Sequence, residues 1–351
     1  MQQDTEDHRM KIASIGIDLG KTTFHLVALN IHGRVLVKNK FSRRQLLAYT
    51  ANLPASLIGI EACSGAHFIG ATLRLQGHDV RLIPAQFVKP FLKSNKNDFL
   101  DAEAIAEAVT RQNMRFVPIK TDDQLDLQAL HRVRDRLVQR RTAVINQIRG
   151  FLLERGITFA QGPANLRRHM PSLLEDAEQN LTPRMRSLLA HLWHEWKQLQ
   201  NDVDRISSDI DAIAEQDPAC QRLRQIPGIG PLVSTATVAA IGNGAAFRKG
   251  REFAAWLGLI PRQHSTGGKA RLLGISKRGS VYLRRMFIHG ARAVLLIVKY
   301  DTGRLGQWAR ELALRAPRNK VIVALANKLA RIAWAVLARG TEYRATCVAA
   351  A

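Results

Sequence analysis

The chain has 351 residues, enough for two or three domains, and its 46% hydrophobic content is sufficient for buried cores. Its formal net charge of +23 favours a polyanionic partner. No run of about 18 apolar residues is present, so no membrane span is expected. The acidic, polar residues 1–10 are unlike a secretory signal. Three widely spaced cysteines, Cys63, Cys220 and Cys347, lack zinc-type spacing and form an odd count for disulfides, which predicts structural thiols in a reduced cytoplasm.

The positive charge is concentrated in the last third of the chain. Residues 221–351 contain 23 Lys/Arg and 4 Asp/Glu, a net charge of +19, whereas residues 1–115 carry +5 and residues 116–220 carry −1. This segment is also rich in apolar residues, unlike a basic tail. It therefore predicts a folded domain with a nucleic-acid-binding surface.

The first third reads as a mixed α/β domain. Residues 11–30 are rich in β-forming residues, and a turn at Gly33 leads into a further strand over 34–41, which predicts an antiparallel meander. Helix, strand, helix, strand and helix are then expected at 45–52, 56–62, 67–76, 78–83 and from about 97. This order matches a ribonuclease-H-like domain.

Four carboxylates are candidates for a metal site in this domain. Asp18 lies within an apolar strand, where an unpaired carboxylate is costly, and Glu61 ends another strand. Asp98 and Asp101 are three residues apart and so share one helix face. Such oxygen ligands suit two Mg²⁺ ions at a phosphodiester. A solvated helix start or structural ion pairs are the alternatives.

The segment 16–23, GIDLGKTT, also resembles the first phosphate loop of sugar kinases and actin-like ATPases. Those proteins need a second glycine-rich loop after another β-rich half. The second half here reads as helical and basic, and Asp301-Thr302-Gly303 is a poor substitute. We therefore rank this alternative lower.

The middle of the chain predicts two long helices. Residues 123–155 contain no proline, and a second stretch has apolar residues at alternating spacings of three and four, namely Leu189, Leu192, Trp196, Leu199, Val203, Ile206, Ile210 and Ile213. The segment 156–183, rich in Gly and Pro, separates them. We expect an antiparallel coiled-coil arm, and the seam is compatible with packing within one chain or with dimerisation.

The segment Ile226-Pro227-Gly228-Ile229-Gly230-Pro231 precedes a predicted helix that ends near Gly242. Two glycines between helices are typical of a helix-hairpin-helix motif. Its backbone N–H groups and following helix N-terminus can bind phosphate without reading bases. A plain packing turn is the alternative.

A predicted helix at 247–257 leads to the run Gln263-His264-Ser265-Thr266-Gly267-Gly268-Lys269. A hydroxyl beside two glycines suits a nucleophile for a phosphodiester, with Lys269 and Arg271 holding the anion. A simple turn is the alternative. His264 could be the base, although adjacency in sequence does not establish hydrogen-bond geometry.

Further basic residues follow on a helix expected to run toward Tyr300, before a last helix at 321–337. Lys277, Arg278, Arg284 and Arg285 are expected to face nucleic acid, mostly through phosphate contacts. Ile288, Leu295, Leu325 and Trp334 are expected to be buried.

These motifs together resemble, over nearly the whole chain, the DEDD transposases of bacterial insertion sequences, family one hundred and ten, with the piv-type DNA invertases. Asp18 in GIDLGK, Glu61 in GIEAC, and Asp98 and Asp101 in NDFLDAEAIAEA fall on the four acids of the family's RuvC-like domain. PGIGPLVS, GLIPRQHSTGGK and GISKRGSVYLRR fall on its C-terminal transposase domain and look like the subgroup with subterminal inverted repeats.

The resemblance implies a recombinase that excises and inserts its own element, guided by a structured noncoding (bridge) RNA that pairs with donor and target DNA. It implies a serine that forms a covalent phosphoserine link to DNA, an acidic site that binds Mg²⁺, and a dimer-built tetramer. Many relatives have two serines before the glycines, where this chain has Ser265-Thr266. Ser265 is our candidate because a primary hydroxyl is less hindered.

We thus predict three parts: a RuvC-like domain at 1–118, a helical arm at 119–218, and a mostly helical transposase domain with the hairpin motif and serine loop at 219–351. A metal-only nuclease similar to junction resolvases is one alternative function. A nucleic-acid-binding structural protein is another.

Overall fold

A computed structural model of the protein describes residues 11–92, 97–178, 180–297 and 303–344. The chain divides into two compact units, Met1–Thr121 and Asp122–Ala351. The N-terminal unit ends close to the predicted boundary at 118. The helices of the predicted arm belong to the same unit as the last third of the chain, and the three-part division stays a prediction.

The N-terminal unit contains one five-stranded sheet with helices. Its strands are β1 (Ser14–Leu19), β2 (Thr23–Leu29), β3 (Val35–Ser42), β4 (Leu57–Glu61) and β5 (Asp79–Ile83). Its helices are α1 (Arg43–Ala51), α2 (Ala66–Leu75), the short α3 (Ala85–Val88) and α4 (Asp98–Ala108). All the elements predicted for the first third are present, with bounds shifted by at most a few residues.

The strand order is β3-β2-β1-β4-β5. The pairs β1/β2 and β2/β3 are antiparallel, whereas β4 runs parallel to both β1 and β5. Parallel neighbours end at the same edge of a sheet. Asp18, near the end of β1, and Glu61, the last residue of β4, therefore lie at one edge. This mixed α/β architecture is consistent with the ribonuclease-H-like domain that we expected.

Two glycines allow α4 to lie directly on the sheet. A Cβ added at Gly16 on β1 would be 2.0 Å from the Ala102 carbonyl oxygen, and one at Gly59 on β4 would be 2.9 Å from the Val109 side chain. Ala102 and Ala106 present small side chains on the same helix face, and both are fully buried. The N-terminal turn of α4 is thereby held over the edge where β1 ends.

Gly16→Ala is expected to push α4 off the sheet, because the new methyl group would overlap backbone atoms rather than a flexible side chain. We expect a loss of about 1–3 kcal/mol in the free energy of unfolding, the usual cost of overpacking a core, and weaker divalent-metal binding. Chemical denaturation and metal titration measure the two effects. Gly33→Ala is the control for metal binding: a Cβ there meets nothing within 4 Å, so the strain of alanine at φ +74° should lower stability without changing metal affinity. Equal metal affinity in Gly16→Ala and the wild type would contradict the role assigned to this contact.

The second unit is mostly helical. Its helices are α5 (Asp122–Leu153), α6 (Pro163–Glu175), α7 (Pro183–Gln216), α8 (Pro218–Arg224), α9 (Pro231–Ile241), α10 (Gly250–Trp256), α11 (Val281–Ile297), α12 (Arg304–Ala313) and α13 (Arg318–Arg339). A two-stranded antiparallel hairpin, β6 (Pro261–Thr266) and β7 (Lys269–Ile275), separates α10 from α11.

The two long helices α5 and α7 pack side by side and run antiparallel. Arg134 hydrogen-bonds to Ser207, whereas Arg140, further along α5, pairs with Glu195, earlier on α7. The α7 residues of the predicted seam are buried or partly buried, and most share one core with α5 residues of the same chain, such as Ile148 and Leu152. The seam is therefore occupied within one chain.

Two helices of the second unit were not predicted. The segment 156–183 is not only a break, because α6 forms where Pro163 stands in the first turn and Leu166, Met170 and Leu173 make a buried stripe. The helix α12 was not predicted at all.

The core of the last third is formed around α9, α10, α11 and α13. Leu325 is fully buried there, and Ile288, Leu295 and Trp334 are partly buried against it, close to what the sequence indicated. The helix α13 is long and apolar enough to cross a membrane by length and composition. Nine of its residues are buried, eight of them in this core, and core helices of soluble proteins pass the same test.

The cysteines differ in environment. Cys220 is buried, as expected for a structural thiol, whereas Cys63 is exposed. Cys347 lies outside the described residues, as do Asp301, Thr302 and the predicted end of α11 at Tyr300.

Candidate active site

Three of the four predicted acids converge at the edge of the sheet; we call Asp18, Asp98 and Asp101 the acidic cluster. One carboxylate oxygen from each lies within 4.8 Å of the others. Asp18 is supplied by β1, and the other two by the first turn of α4, where Asn97 caps the helix through the Phe99 N–H. Glu61 interacts electrostatically with Asp18 without joining this group of three.

Burial and repulsion between carboxylates raise the pKa values of Asp18 and Glu61. The pKa of Asp18 rises to about 6, first because burial disfavours the charged form and then because Asp101, Asp98 and Glu61 are close. Burial, followed by Asp101, also raises the pKa of Glu61, while Lys89 opposes the shift. Several carboxylates held together without a compensating cation destabilise the unit. A divalent cation would relieve the repulsion, so these oxygen donors fit a hard metal ion.

His25 is a further neighbour of the acidic cluster, and it was not predicted from the sequence. It pairs with Asp18 across β1 and β2, and its Nδ1 lies 3.8 Å from an Asp98 oxygen. Its ring meets Phe99 edge-on at 4.7 Å, and the Lys38 ammonium lies 4.8 Å from the centre of the Phe99 ring. The alternation of β2 predicts that His25 shares a face with Asp18, but nothing local indicates that α4 would bring Asp98 there.

Ser265 lies on β6, in a β-hairpin rather than in an irregular loop. Gly267 and Gly268 form the two-residue turn between β6 and β7, with φ of 57° and 76°. Positive φ at both central residues is the requirement of a type I′ hairpin turn, which explains both glycines. All six residues of β6 are exposed. The Ser265 hydroxyl oxygen accepts a hydrogen bond from the Gln263 side-chain amide at 2.7 Å.

The two faces of this serine hairpin, residues 261–275, differ in charge. Cross-strand partners share a face and neighbours alternate. Ser265 pairs with Ala270, so both lie on one face. The opposite face carries the pairs Thr266/Lys269 and His264/Arg271. His264 is therefore badly placed to act as a base for Ser265, and Lys269 and Arg271 belong to the face of Thr266.

The predicted hairpin motif is a tight turn between α8 and α9. Gly228 has φ of 82°, and a Cβ there would be 2.6 Å from the Gly290 carbonyl oxygen of α11. A glycine is thus required at position 228, because the turn packs directly against α11. Gly230 is the exposed N-cap residue of α9, with Pro231 in the first turn. Of the two glycines, Gly230 is the one placed to offer the helix N-terminus to a phosphate.

The four basic residues predicted near the start of α11 have different environments. Lys277 and Arg278 are exposed. Arg284 is only 8% exposed and donates hydrogen bonds to the Leu257 and Arg278 carbonyl oxygens. Arg285 forms an ion pair with Asp135 of α5 and lies over the Tyr282 ring. The expectation that Arg284 faces nucleic acid was therefore wrong, because its charge satisfies buried carbonyl groups.

Arg284→Gln should thus affect the stability of the protein, whereas Arg278→Gln should affect its DNA binding. Losing the buried guanidinium leaves carbonyl oxygens unpaired, and we expect a loss of about 1–3 kcal/mol in stability. Arg278→Gln should leave thermal stability unchanged and lower the slope of log K for DNA against log salt by about 0.9, the value for one phosphate contact. Thermal melts and DNA titrations at several salt concentrations measure these effects. An Arg284→Gln protein of normal stability with a reduced salt slope would restore its predicted role.

Comparison with known protein families matches both ends of the chain. Residues 15–156 match a DEDD transposase model of the IS110 type, and residues 220–305 match the model described as "Transposase IS116/IS110/IS902 family". The first match contains all four predicted acids, and the second contains the turn at Gly228, the serine hairpin and the start of α11. The DEDD match and the acidic cluster together indicate use of a divalent metal ion.

Two similar transposases align with the chain over almost their full lengths. The chain is 43% identical over 332 residues to a transposase for insertion sequence element IS1328 of Yersinia enterocolitica, covering 95% of this chain and 98% of the relative. It is 44% identical over 336 residues to a probable family 20 transposase of Pseudomonas aeruginosa, covering 95% and 99%. A pilin gene-inverting protein of Moraxella bovis is more distant, at 22% identity over 274 residues, covering 76% and 74%. The chain therefore belongs to the IS110 family of insertion-sequence transposases and is a DNA transposase.

Proposed function

We propose that this transposase excises and inserts its own insertion sequence through a covalent link between Ser265 and DNA. The observation that carries the proposal is the placement of Ser265 on a fully exposed strand, next to a glycine turn, in a strongly basic part of the chain. A nucleophile for a duplex must reach the phosphate without obstruction, and an exposed hairpin offers such access. Gln263 holds the hydroxyl oxygen in place.

In the proposed step a bond forms between Ser265 Oγ and the scissile phosphorus while one bridging P–O bond of the DNA breaks. The serine loses its proton, and the departing DNA oxygen gains one. Attack by a new DNA hydroxyl on the phosphoserine reverses these changes and restores the serine. The energy of the phosphodiester bond is kept in the intermediate, so strands can be exchanged without an external energy source.

We further propose that Asp18, Glu61, Asp98 and Asp101 bind Mg²⁺ and that this site assists the serine from a neighbouring subunit. The three clustered carboxylates and the raised pKa of Asp18 support a site built for a cation. Mg²⁺ accepts hard oxygen donors, and when bound it would neutralise charge that develops on the phosphate. The role of the protein is to hold four carboxylates at the edge where β1, β4 and α4 meet.

Thr266 is the competing nucleophile. It shares its face with Lys269 and Arg271, whereas Ser265 shares its face with Gln263 and Ala270. We favour Ser265, because its primary hydroxyl is less hindered and has a positioning partner. Lys269 and Arg271 would then bind backbone phosphates from the other side of the hairpin.

The transposase family implies DNA binding. We propose that Lys269, Arg271, Lys277 and Arg278, with Gly230 at the N-terminus of α9, contact backbone phosphates of donor and target DNA. The resemblance supports a guide RNA of the element as the source of sequence specificity, since base pairing would do what phosphate contacts cannot. We propose that the protein acts in the cytoplasm, at the nucleoid, because its proposed partners are DNA and the element's RNA.

A dimer that assembles into a tetramer is part of the proposal. The long α5/α7 pair remains a candidate coiled coil, but the α7 seam is filled by α5 of the same chain. Any dimer contact made by this arm must therefore use its outer faces, where Val133 and Leu188 are exposed.

The test is to incubate the protein with supercoiled donor and target DNA, the element's RNA and Mg²⁺, and to run the products on a denaturing gel. Serine catalysis predicts a protein–DNA adduct that survives denaturation. A metal-only junction nuclease predicts cleaved ends without an adduct. That second function is favoured only by the acidic cluster, and a result with free ends alone would replace the first.

A further inference from the structure

A wide groove of about 1430 Å³ lies on the second unit beside the serine hairpin. One side is formed by β7, including Leu272 and Ile275, and the opposite side by α13. The start of α10, Leu259, Pro261 and Trp308 of α12 complete the lining. This volume exceeds the roughly 300–1,000 Å³ of small-molecule pockets. It suits a segment of polymer better than a single metabolite.

The charge of the groove is of one sign. Lys249, Arg251, Lys320, Lys328 and Arg331 line it, and none of the described residues in the lining is acidic. Burial and the nearby Arg331 lower the pKa of Lys328. Cations crowded in this way repel one another, so a bound anion would stabilise the groove.

The groove also contains groups that suit flat, polar rings. The Lys328 ammonium lies 4.1 Å from the centre of the Trp308 ring, which puts an aromatic ring and a cation at one point of the lining. Asn319 and Asn327 add amide groups. Leu272, which is 65% exposed, adds an apolar surface. Rings, amides and cations in one groove are typical of sites for unpaired nucleotides, which stack on aromatic side chains while cations follow the backbone.

We propose that this groove binds unpaired nucleotides of the strand that is delivered to the serine hairpin. That this strand is delivered to the serine hairpin rests on the proposed role of Ser265. Ala270 pairs with Ser265, and Leu272 in the groove is two residues further along β7. At about 3.4 Å per residue the two positions are about 7 Å apart along the strand. A strand held in the groove would thus reach the neighbourhood of the hydroxyl.

The test measures binding of labelled single-stranded DNA, single-stranded RNA and duplex DNA to the full chain by fluorescence polarisation. Oligomers of about ten nucleotides match the site size of known single-strand-binding folds. Neither metal nor cleavage is needed, so the result is independent of Ser265. The two single-stranded probes distinguish a DNA strand from the guide RNA as the occupant.

Two sets of variants are needed. Trp308→Ala should weaken single-strand binding about tenfold, the range of one lost base stack, and affect the duplex less. Lys320→Gln/Arg331→Gln should lower the salt slope by about 1.4, as for two phosphate contacts on a single strand. The matched control is Arg318→Gln/Arg339→Gln, which removes the same charge from exposed positions of the same helix outside the lining.

Photocrosslinking with 4-thiothymidine oligomers provides a readout that does not depend on the stability of Trp308→Ala. The proposal expects crosslinks on peptides that contain Trp308 or the groove face of α13. Equal loss of binding in both charge-pair variants, or crosslinks confined to other parts of the chain, would overturn it. If the serine adduct forms but the groove fails these tests, only the groove proposal is refuted. Selective strand binding without any adduct refutes only the serine mechanism.

Discussion

Ser265→Ala is expected to abolish both recombination and the covalent protein–DNA adduct. Removal of a catalytic nucleophile typically lowers the rate by about 10⁴-fold or more, because no other group makes the missing bond. The substitution lies on an exposed strand and removes only a hydroxyl group, so folding and DNA affinity should be unchanged. Denaturing gels detect the adduct, amplification across the new junctions measures recombination, and a thermal melt verifies the fold.

Thr266→Ala is the matched control, since it removes a neighbouring hydroxyl from the opposite face of the same hairpin. If Ser265 is the nucleophile, this variant should keep the adduct and lose less than about tenfold in rate, the cost of a peripheral contact. If the adduct forms in Ser265→Ala but not in Thr266→Ala, Thr266 is the nucleophile, on the face that carries Lys269 and Arg271. Loss of recombination in neither variant would exclude both hydroxyl groups.

Asp18→Asn is the second change with a large expected effect. It removes the most perturbed carboxylate of the acidic cluster, and we expect recombination to fall by about 10²–10³-fold, as when one electrostatic stabilising group is lost. The metal-free protein should at the same time become more stable, because the substitution removes a charge whose burial, and whose repulsion by Asp101, Asp98 and Glu61, raise the pKa of Asp18. Since the Asp18 side chain is partly exposed, solvent screening limits this gain to about 1 kcal/mol.

The pH dependence follows from the same shift. The folded-state pKa of Asp18 is about 6 and the ordinary value is 3.8. Between these values the folded state binds more protons than the unfolded state, so metal-free stability falls as pH rises from about 4 to about 6. The Asp18→Asn protein should lack this contribution. Mg²⁺ should raise the melting temperature of the wild type more at pH 7.5 than at pH 5, because protons compete for the same oxygens.

Asp79→Asn is the control for these measurements. Asp79 is an exposed carboxylate of the same unit, paired with Arg81 at 2.6 Å, and its loss should leave the Mg²⁺ response intact. Calorimetry or fluorescence melts with and without Mg²⁺ give both quantities. A metal response in Asp18→Asn equal to that of the wild type would contradict the assignment of Asp18 as a ligand.

The N-terminal unit was predictable because its signals are local. An apolar strand interrupted by Asp18, a turn at Gly33 and a capped helix start at Asn97 each specify an element without reference to distant residues. The four acids could be proposed as one site because the order of strands and helices matched a ribonuclease-H-like domain. The prediction that Asp98 and Asp101 share a helix face needed only the helical period.

The hairpin around Ser265 was harder to predict. The residues around Gly267 and Gly268 indicate a turn, but β6 is exposed along its whole length and lacks the alternation of apolar and polar residues that identifies a half-buried strand. Strand pairing alone decides that Ser265 faces away from Lys269 and Arg271. The short amphipathic helices α6 and α12 were missed because proline and glycine neighbours suggested irregular chain.

The sequence by itself determined the order of elements in the N-terminal unit, the four candidate ligands and the excess of positive charge in the last third. Only the tertiary structure decided what individual charges and apolar residues contact. Arg278 and Arg284 are both basic residues in one segment, yet Arg284 is buried against two carbonyl oxygens and Arg278 is exposed. The α7 seam indicated a helix partner, and packing supplied α5 of the same chain. Local patterns depend on neighbours along the chain, whereas burial and pairing depend on residues far away in sequence, which only the folded chain brings together.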